Sequence, residues 1–308
     1  MSLRVLASGQ CSLIVDLGRP RTRSLGVPVG GAADRSALSI GNALVGNPMD
    51  AAALEVCLVG PTLIALHPAA CVVVGAPFEL RSSRETLALG KTFTLEKDET
   101  LTVGTCSQGM RAYVCVHGGF ESEMILGSRS ALEPIKKGQV LECRPSRMLG
   151  RRADIERDWE APTETGKQAQ PRVLRIVPGP QAAWFEPSIE PVAYRVTAAS
   201  NRMGLRLEGP PLALPEREMT SEPVCPGTVQ VTREGQCIIL GVDGQTIGGY
   251  PKLAQIISAD IDLLGQLRPD EFVAFQEVTM EDAERIHARK RKTLSCWAKR
   301  WTEALRPI

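Results

Sequence analysis

Long hydrophobic runs are missing from this sequence. No apolar stretch approaches the roughly 20 residues that a helix needs to cross a bilayer, and the opening MSLRVLASGQ lacks the extended apolar core of a secretory leader. The expectation is a cytoplasmic chain with no membrane partner. An excess of charge of one sign is missing too: 36 Lys and Arg stand against 35 Asp and Glu. No overall field draws in nucleic acid, so a partner has to be recognised locally.

Metal and redox signals are equally thin. The three histidines, His67, His117 and His287, are too scattered for a three-histidine site, and no metal is expected. The nine cysteines are odd in number and never form CxxC, which argues against a disulfide framework and a zinc ribbon. Several read instead as small core residues in apolar strands. There is no Ser-centred GxSxG elbow. Leu89-Gly-Lys-Thr92 echoes the end of a phosphate-binding loop, but Glu85 stands where the first glycine has to be. A self-contained nucleophilic hydrolase is disfavoured.

What is present is ordinary globular composition over 308 residues, enough for one large domain or two smaller ones. Short apolar runs dominate: Ala70 to Val74, Ala112 to Val116, Val173 to Val177, Cys237 to Leu240 and Phe272 to Phe275. Their length and valine/isoleucine content favour strands. With 28 glycines and 22 prolines as punctuation, the chain reads as mainly β, a barrel or sandwich of short strands. One unit recurs at Leu95 to Leu101, Ile135 to Leu141 and Leu267 to Val273: an apolar residue, a polar turn and a new strand. It suggests more than one related barrel, or no more than a common kind of turn.

Two helices are expected. Asp34 can cap a segment carrying Leu38, Ile40 and Leu44, with Gly46 near its end. Thr279 can cap a C-terminal helix with Ile286, Leu294, Trp297, Trp301 and Leu305 on one face. Its basic run, Arg289 to Lys292, reads as a solvated face rather than a nucleic-acid site. The charge-rich stretch from Arg144 to Arg172 lacks apolar periodicity and reads as the linker between two halves.

Chemistry-bearing residues concentrate in Asp243-Gly-Gln-Thr-Ile-Gly-Gly-Tyr-Pro-Lys252, directly after a strand. Gly248 and Gly249 permit close approaches, so their amides can face a carbonyl or carboxylate, which is oxyanion-hole chemistry. Tyr250 offers a hydroxyl, Gln245 an amide and Lys252 a positive charge. Together they suit an amide or ureido group; the alternative is a tight glycine turn with a packing tyrosine. In Ser200-Asn-Arg-Met-Gly204, Asn201 can bond an amide and Arg202 can grip a carboxylate through two parallel bonds, or the two make only a turn and an ion pair. Glu222 sits in a stretch stiffened by two prolines, useful for positioning and equally suited to a plain loop. Arg129 in LGSRS and Asp34 in GAADR complete the candidates.

These segments in this order resemble one family. GVPVGGAADRSALSIGNALVGNP, AALEVCLVGPTL, AYVCVHGGF, LGSRS, LRIVPGPQ, SNRMGLRLEGPPL, and SEPVCPGTVQV with GQTIGGYPKLAQIISADIDLLGQLRP are similar to the C subunit of 5-oxoprolinase, also described as allophanate hydrolase subunit 2 or the carboxyltransferase region of urea carboxylase. The resemblance implies a cyclophilin-like β-barrel architecture with two related subdomains, 1–150 and 165–308, whose strands can be exchanged across the boundary. It implies a smaller partner like the B subunit of 5-oxoprolinase, with a protein like its A subunit in the larger complex. It further implies ATP-dependent opening of 5-oxo-L-proline to L-glutamate, with Lys252 and Tyr250 as catalytic residues. Asn201, Arg202, Gln245, Gly248, Gly249, Glu222, Arg129 and Asp34 would bind substrate. Two alternatives belong to the same resemblance. One is carboxyl transfer from carboxybiotin to urea, with biotin on a separate carrier because no Met-Lys-Met segment is present. The other is a non-catalytic antagonist that binds a kinase inhibitor related to the B subunit. The chain departs from the family pattern at Gly244, where relatives often carry a basic residue, and at the Gly30-Gly31 pair, which replaces a common hydroxyl.

Overall fold

A computed structural model describes residues 2–148, 170–185, 192–214, 217 and 219–303. The stretch expected to link the halves lies mostly outside these residues, as does Leu305. The chain divides into two compact units. One takes the described part of residues 1–20, 34–158 and 292–308, and the other that of residues 21–33 and 159–291.

Among the described residues eleven strands build the first unit: β1 (Ser2–Ala7), β2 (Cys11–Val15), β3 (Ala53–Cys57), β4 (Thr62–Ala65), β5 (Ala69–Gly75), β6 (Phe78–Ser82), β7 (Phe93–Leu95), β8 (Thr100–Cys106), β9 (Arg111–Val116), β10 (Phe120–Glu121) and β11 (Val140–Cys143). They form a six-stranded sheet, β10-β11-β1-β4-β8-β6, and a five-stranded one, β2-β3-β9-β5-β7. Leu3, Leu63 and Leu101 of one sheet and Leu54, Val73 and Val114 of the other share a single core. Strands β5 and β9 are buried along their whole length. Helix α1 (Arg35–Leu44) covers their far face, which is why these runs show no polar alternation. Contact is close enough that a Cβ at Gly41 would come 2.6 Å from Cys115 Sγ. As expected, Asp34 caps α1 through Ala37 N (2.8 Å), and Gly46 follows its end with φ 77°.

The second unit closes into a seven-stranded barrel. Its strands are β12 (Arg172–Pro178), β13 (Ala193–Val196), β14 (Gly204–Glu208), β16 (Thr228–Val231), β17 (Cys237–Leu240), β19 (Lys252–Ile256) and β20 (Phe272–Glu277), while β15 (Glu222–Pro223) and β18 (Ile247–Gly248) form a separate two-stranded ladder. The closing pair, β12 with β20, is parallel, and every other pair is antiparallel. Val229, Val231, Ile239, Ala254 and Val273 fill the interior, with Tyr194 edge-on to Phe275 at 5.8 Å. The mainly β architecture read from sequence is what forms, although among the described residues only the second unit closes.

The recurring motif is one structure used three times. Leu95, Ile135 and Leu267 are buried anchors. Three residues later Asp98, Gly138 and Asp270 take φ of 67°, 86° and 70°, as the third position of a type II turn requires. Glu99 N, Gln139 N and Glu271 N donate back to the carbonyls of Glu96, Lys136 and Arg268 (3.0, 3.1 and 3.2 Å). The side chains of the same three residues accept from the amides of Glu96, Lys136 and Arg268 (2.9, 3.0 and 3.0 Å). A new strand starts at Thr100, Val140 and Phe272.

Helix α2 spans Ile261–Leu264 and α3 spans Met280–Glu303. Thr279 caps α3 as expected, its Oγ1 accepting from Asp282 N at 3.1 Å. The basic run of α3 is not uniformly solvated: Lys290 Nζ bonds Asp262 Oδ2 (2.7 Å) and Ala259 O (2.6 Å), because it faces the start of α2. Among the described residues no helix is long and apolar enough to cross a membrane. Cys71, Cys106, Cys115, Cys143 and Cys237 are buried. Burial pushes the Cys143 thiol up to about 11 and the Cys237 thiol up to about 12, so neither supplies a thiolate at neutral pH.

Candidate active site

Three of the candidate residues, Lys252, Glu222 and Gly248, come together on the outer face of the barrel. In β16, Val229 and Val231 point into the core, so the two-residue period turns Gln230 outward. Across the ladder its partner is Lys252, at the start of β19, which puts both side chains on the same face. The β15–β18 ladder pairs Glu222 with Gly248. Lys252 Nζ forms an ion pair with Glu222 Oε2, which ties the lysine to that ladder. Lys252 N donates to Gln181 Oε1 (3.0 Å) and its carbonyl accepts from Gln181 N (3.2 Å), so the backbone is held as well.

Lys252 is 7% exposed, whereas the Glu222 side chain is 44% exposed. A carboxylate in contact raises a lysine pKa, and burial lowers it. The direction here is downward, caused by burial, since Glu222 is half solvated and water screens its charge. An ammonium this short of water is a strong partner for charge developing on a nearby oxygen.

Gly248 shows why glycine stands at the centre. A Cβ there would come 2.6 Å from Gln230 Nε2 and 2.9 Å from Gln245 Nε2. Neither Gly248 nor Gly249 has a positive φ, so close approach, not left-handed backbone, is the reason. Gly249 faces Ser221, whose Oγ would lie 3.2 Å from an added Cβ. Tyr250 is 37% exposed, and Gln245 is exposed beside it. We expect Gly248→Ala to lower turnover at least several-fold while leaving the fold intact, because the buried Gln230 amide has to move; circular dichroism beside a rate measurement checks this.

The Asn201–Arg202 cluster forms in the same unit, with its hydrogen bonds directed inward. Arg202 Nε and Nη2 meet Asp243 at 2.6 and 3.2 Å, and Nη2 also donates to Gly31 O at 2.7 Å. The fork read as a grip for a substrate carboxylate is thus occupied by Asp243. Asn201 Oδ1 caps Met203 N (2.8 Å) in a turn closed by the Asn201–Gly204 bridge. Gly30 and Gly31, at φ 64° and 77°, belong to this unit, where Gly30 N donates to Val242 O at 2.9 Å. Positive φ at both is the backbone that favours glycine over any residue with a side chain. Gly244 has a reason as well: a Cβ would sit 2.9 Å from the Met203 and Gly241 carbonyls.

Asp34 and Arg129 fall in the first unit with structural partners of their own. Asp34 is 1% exposed and caps α1. Arg129 Nη1 bonds Ser122 O (2.5 Å), and its amide donates to Asp16 Oδ2 (2.6 Å). Sequence reading missed Gln230 and Gln181. In Thr-Val-Gln-Val an alternating polar residue reads as solvent-facing, and no local signal announces the ladder that covers it.

Known proteins place this architecture. The chain is 31% identical over 290 residues to the 5-oxoprolinase C subunit of Escherichia coli, covering 91% of this chain and 93% of that protein. Against the protein of the same description in Haemophilus influenzae it is 32% identical, covering 89% and 90%. Crystal structures of TTHA0988 superpose with a TM-score of 0.78 at 32% identity over 89% of this chain and 55% of theirs, so the chain spans about half of that protein. The urea amidolyase of K. lactis shares the fold at a TM-score of 0.85 and 24% identity, over 96% of this chain and 20% of that one. The family model described as carboxyltransferase domain, subdomain A and B, matches residues 25–277, and the chain belongs to that family.

Proposed function

We propose that this chain is the C-subunit-like component of a cytoplasmic, ATP-dependent 5-oxoprolinase, opening the lactam of 5-oxo-L-proline to L-glutamate together with B-subunit-like and A-subunit-like partners. The observation that carries the reading is the buried Lys252 ammonium, held by Glu222 against the Gly248 turn. Likeness to two 5-oxoprolinase C subunits over about nine tenths of both chains supports it.

In this reading the lactam carbonyl lies toward Lys252, which stabilises the negative charge that gathers on oxygen as the ring carbon is attacked. Gln245 and Tyr250, exposed at the rim, orient the amide, and Gly248 keeps the approach open. Arg202, Asn201 and Asp243 stiffen the neighbouring loop. ATP does not fit the residues of this chain that come nearest a phosphate loop. The segment 89–92 runs into strand β7 instead of a helix, and Thr92 is 1% exposed, so the nucleotide is assigned to a partner.

Likeness to urea amidolyases favours one second reading, carboxyl transfer from carboxybiotin on a separate carrier to urea. The test is to purify the chain with its B-subunit-like and A-subunit-like partners. Glutamate release from 5-oxoproline is then assayed with and without ATP. ATP-dependent release supports the lactam reading; urea-dependent consumption of carboxybiotin in its place supports the second. A stable complex with neither activity leaves the binding role.

A further inference from the structure

We propose that Gln181 is a positioning residue that aims Lys252, by holding a bulge in β19 that turns the lysine out of the barrel core and onto the site. Its bearing on catalysis rests on the lactam reading above.

A regular β19 would bury the lysine. Ile256 and Ala254 belong to the barrel core, and a strand that alternates strictly would send Lys252 in after them. The register with β16 shows why it does not. Thr228 pairs with Gln255 and Val229 with Ala254, but Gln230 pairs with Lys252, so one step on β16 is matched by two on β19. Leu253 is the extra residue of a β-bulge. It joins Ala254 in the core, at 5% and 2% exposure, and Lys252 emerges on the outer face.

A bulge leaves backbone groups without ladder partners, and buried ones have to be satisfied in another way. Here the amide and carbonyl of Lys252 are met beyond the end of β12, which stops as a strand at Pro178. Gln181 takes both. Its side-chain Oε1 accepts from Lys252 N at 3.0 Å, and its own N donates to Lys252 O at 3.2 Å. A side chain thus supplies the acceptor that a strand neighbour would. Gly179 N donates to the bulged Leu253 O at 2.8 Å, and a Cβ on Gly179 would lie 2.2 Å from Lys252 O, so glycine brings the segment this close. The turn is itself anchored: Trp184 N donates to Gln181 O (3.0 Å), and Phe185 is buried in the barrel core. Gln181 is 7% exposed, and its role requires no contact with substrate. Without its acceptor the Lys252 amide is left unpaired, and a slip that repaired the ladder would draw the ammonium away from Glu222.

Hydrogen exchange and lysine NMR on the full chain test this without recourse to activity. In Gln181→Met the Lys252 amide is expected to exchange about fivefold faster or more, the effect of losing one hydrogen bond, with the rest of β19 protected as before. Gln181→Asn, which keeps a carboxamide but falls short of the amide, should act likewise, and Gln181→Glu, which keeps the acceptor in reach, should retain the protection. The Lys252 side-chain resonance, identified by its absence from Lys252→Met, is expected to titrate below 10.5 in the wild type and to move toward 10.5 in Gln181→Met as the stem reaches water. In the assembled complex Gln181→Met should lower kcat about tenfold or more with KM within about twofold, and should lower it no further in a Lys252→Met background. An amide that stays protected in Gln181→Met and Gln181→Asn, or a lysine resonance that does not move, overturns the proposal. So does an unchanged kcat in a complex that Lys252→Met slows. The wider reading fails differently: no turnover by the wild type, or a Lys252→Met complex as fast as the wild type, removes lactam cleavage, and exchange and titration still decide whether Gln181 aims the lysine.

Discussion

Lys252→Met is expected to lower kcat for the proposed lactam opening by the assembled complex about 10²–10³-fold, the usual effect of removing one preorganised donor from a developing oxyanion. Methionine keeps the length and the packing of the aliphatic stem, so the loss reports the charge. Pull-down of the partner proteins is expected to be unaffected. Glu222→Gln should cost less, because it loosens the ammonium without removing it. A lysine with a smaller effect than its glutamate would mean that the pair serves only to hold the β15–β18 ladder.

The same residue carries a pH signature in stability. Burial lowers the Lys252 pKa in the folded chain from its ordinary value of 10.5. Between the folded and unfolded values the unfolded chain binds the extra proton, so stability rises with pH across that window. The penalty for burying the charge is complete below the folded pKa and fades as pH climbs toward 10.5. Lys252→Met should therefore gain most over the wild type near neutrality, with the gap narrowing in alkali. Chemical denaturation at several pH values checks the sign.

The largest effect on stability is expected in the first unit, at Arg111. Glu55 and Arg111 are 3% and 6% exposed, with Arg111 Nε 3.3 Å from Glu55 Oε1. Glu55 Oε2 also accepts from Tyr113 Oη (2.7 Å), which in turn accepts from Asp34 N (2.8 Å) at the start of α1. Arg111→Met strands the Glu55 carboxylate in the interior and should cost about 3–5 kcal/mol. Adding Glu55→Gln should recover much of this, since the uncompensated charge goes with it. Calorimetry of the first unit's transition measures both. A double variant no more stable than Arg111→Met would show that guanidinium packing, not charge pairing, dominates.

Strands were legible wherever the chain buries a continuous apolar run. Ala112 to Val116 and Ala70 to Val74 became β9 and β5, because α1 covers the face that would otherwise need polar residues. Both expected helix caps were legible because an N-cap is a local bond, from a side chain to an amide two or three residues away. Lys252, Gly248 and Gln245 were legible as a cluster for the same local reason, lying within eight residues of one another. Arg202 was ambiguous: its fork chemistry suits a substrate or Asp243 equally, and sequence does not say which is nearer.

Local spacing was therefore enough to specify the strands, the caps, the thrice-used turn and the glycine-rich rim, since each depends on bonds made within a few residues. Pairing across 22 residues of chain brought Gln230 opposite Lys252, and the β15–β18 ladder then buried it. Residues 21–33 joined the barrel unit although Asp34, next in sequence, belongs to the other, through bonds from Gly30 N to Val242 O and from Arg202 Nη2 to Gly31 O. Such choices depend on which distant surfaces exclude water together, and burial of that kind has no period along the chain from which it can be read.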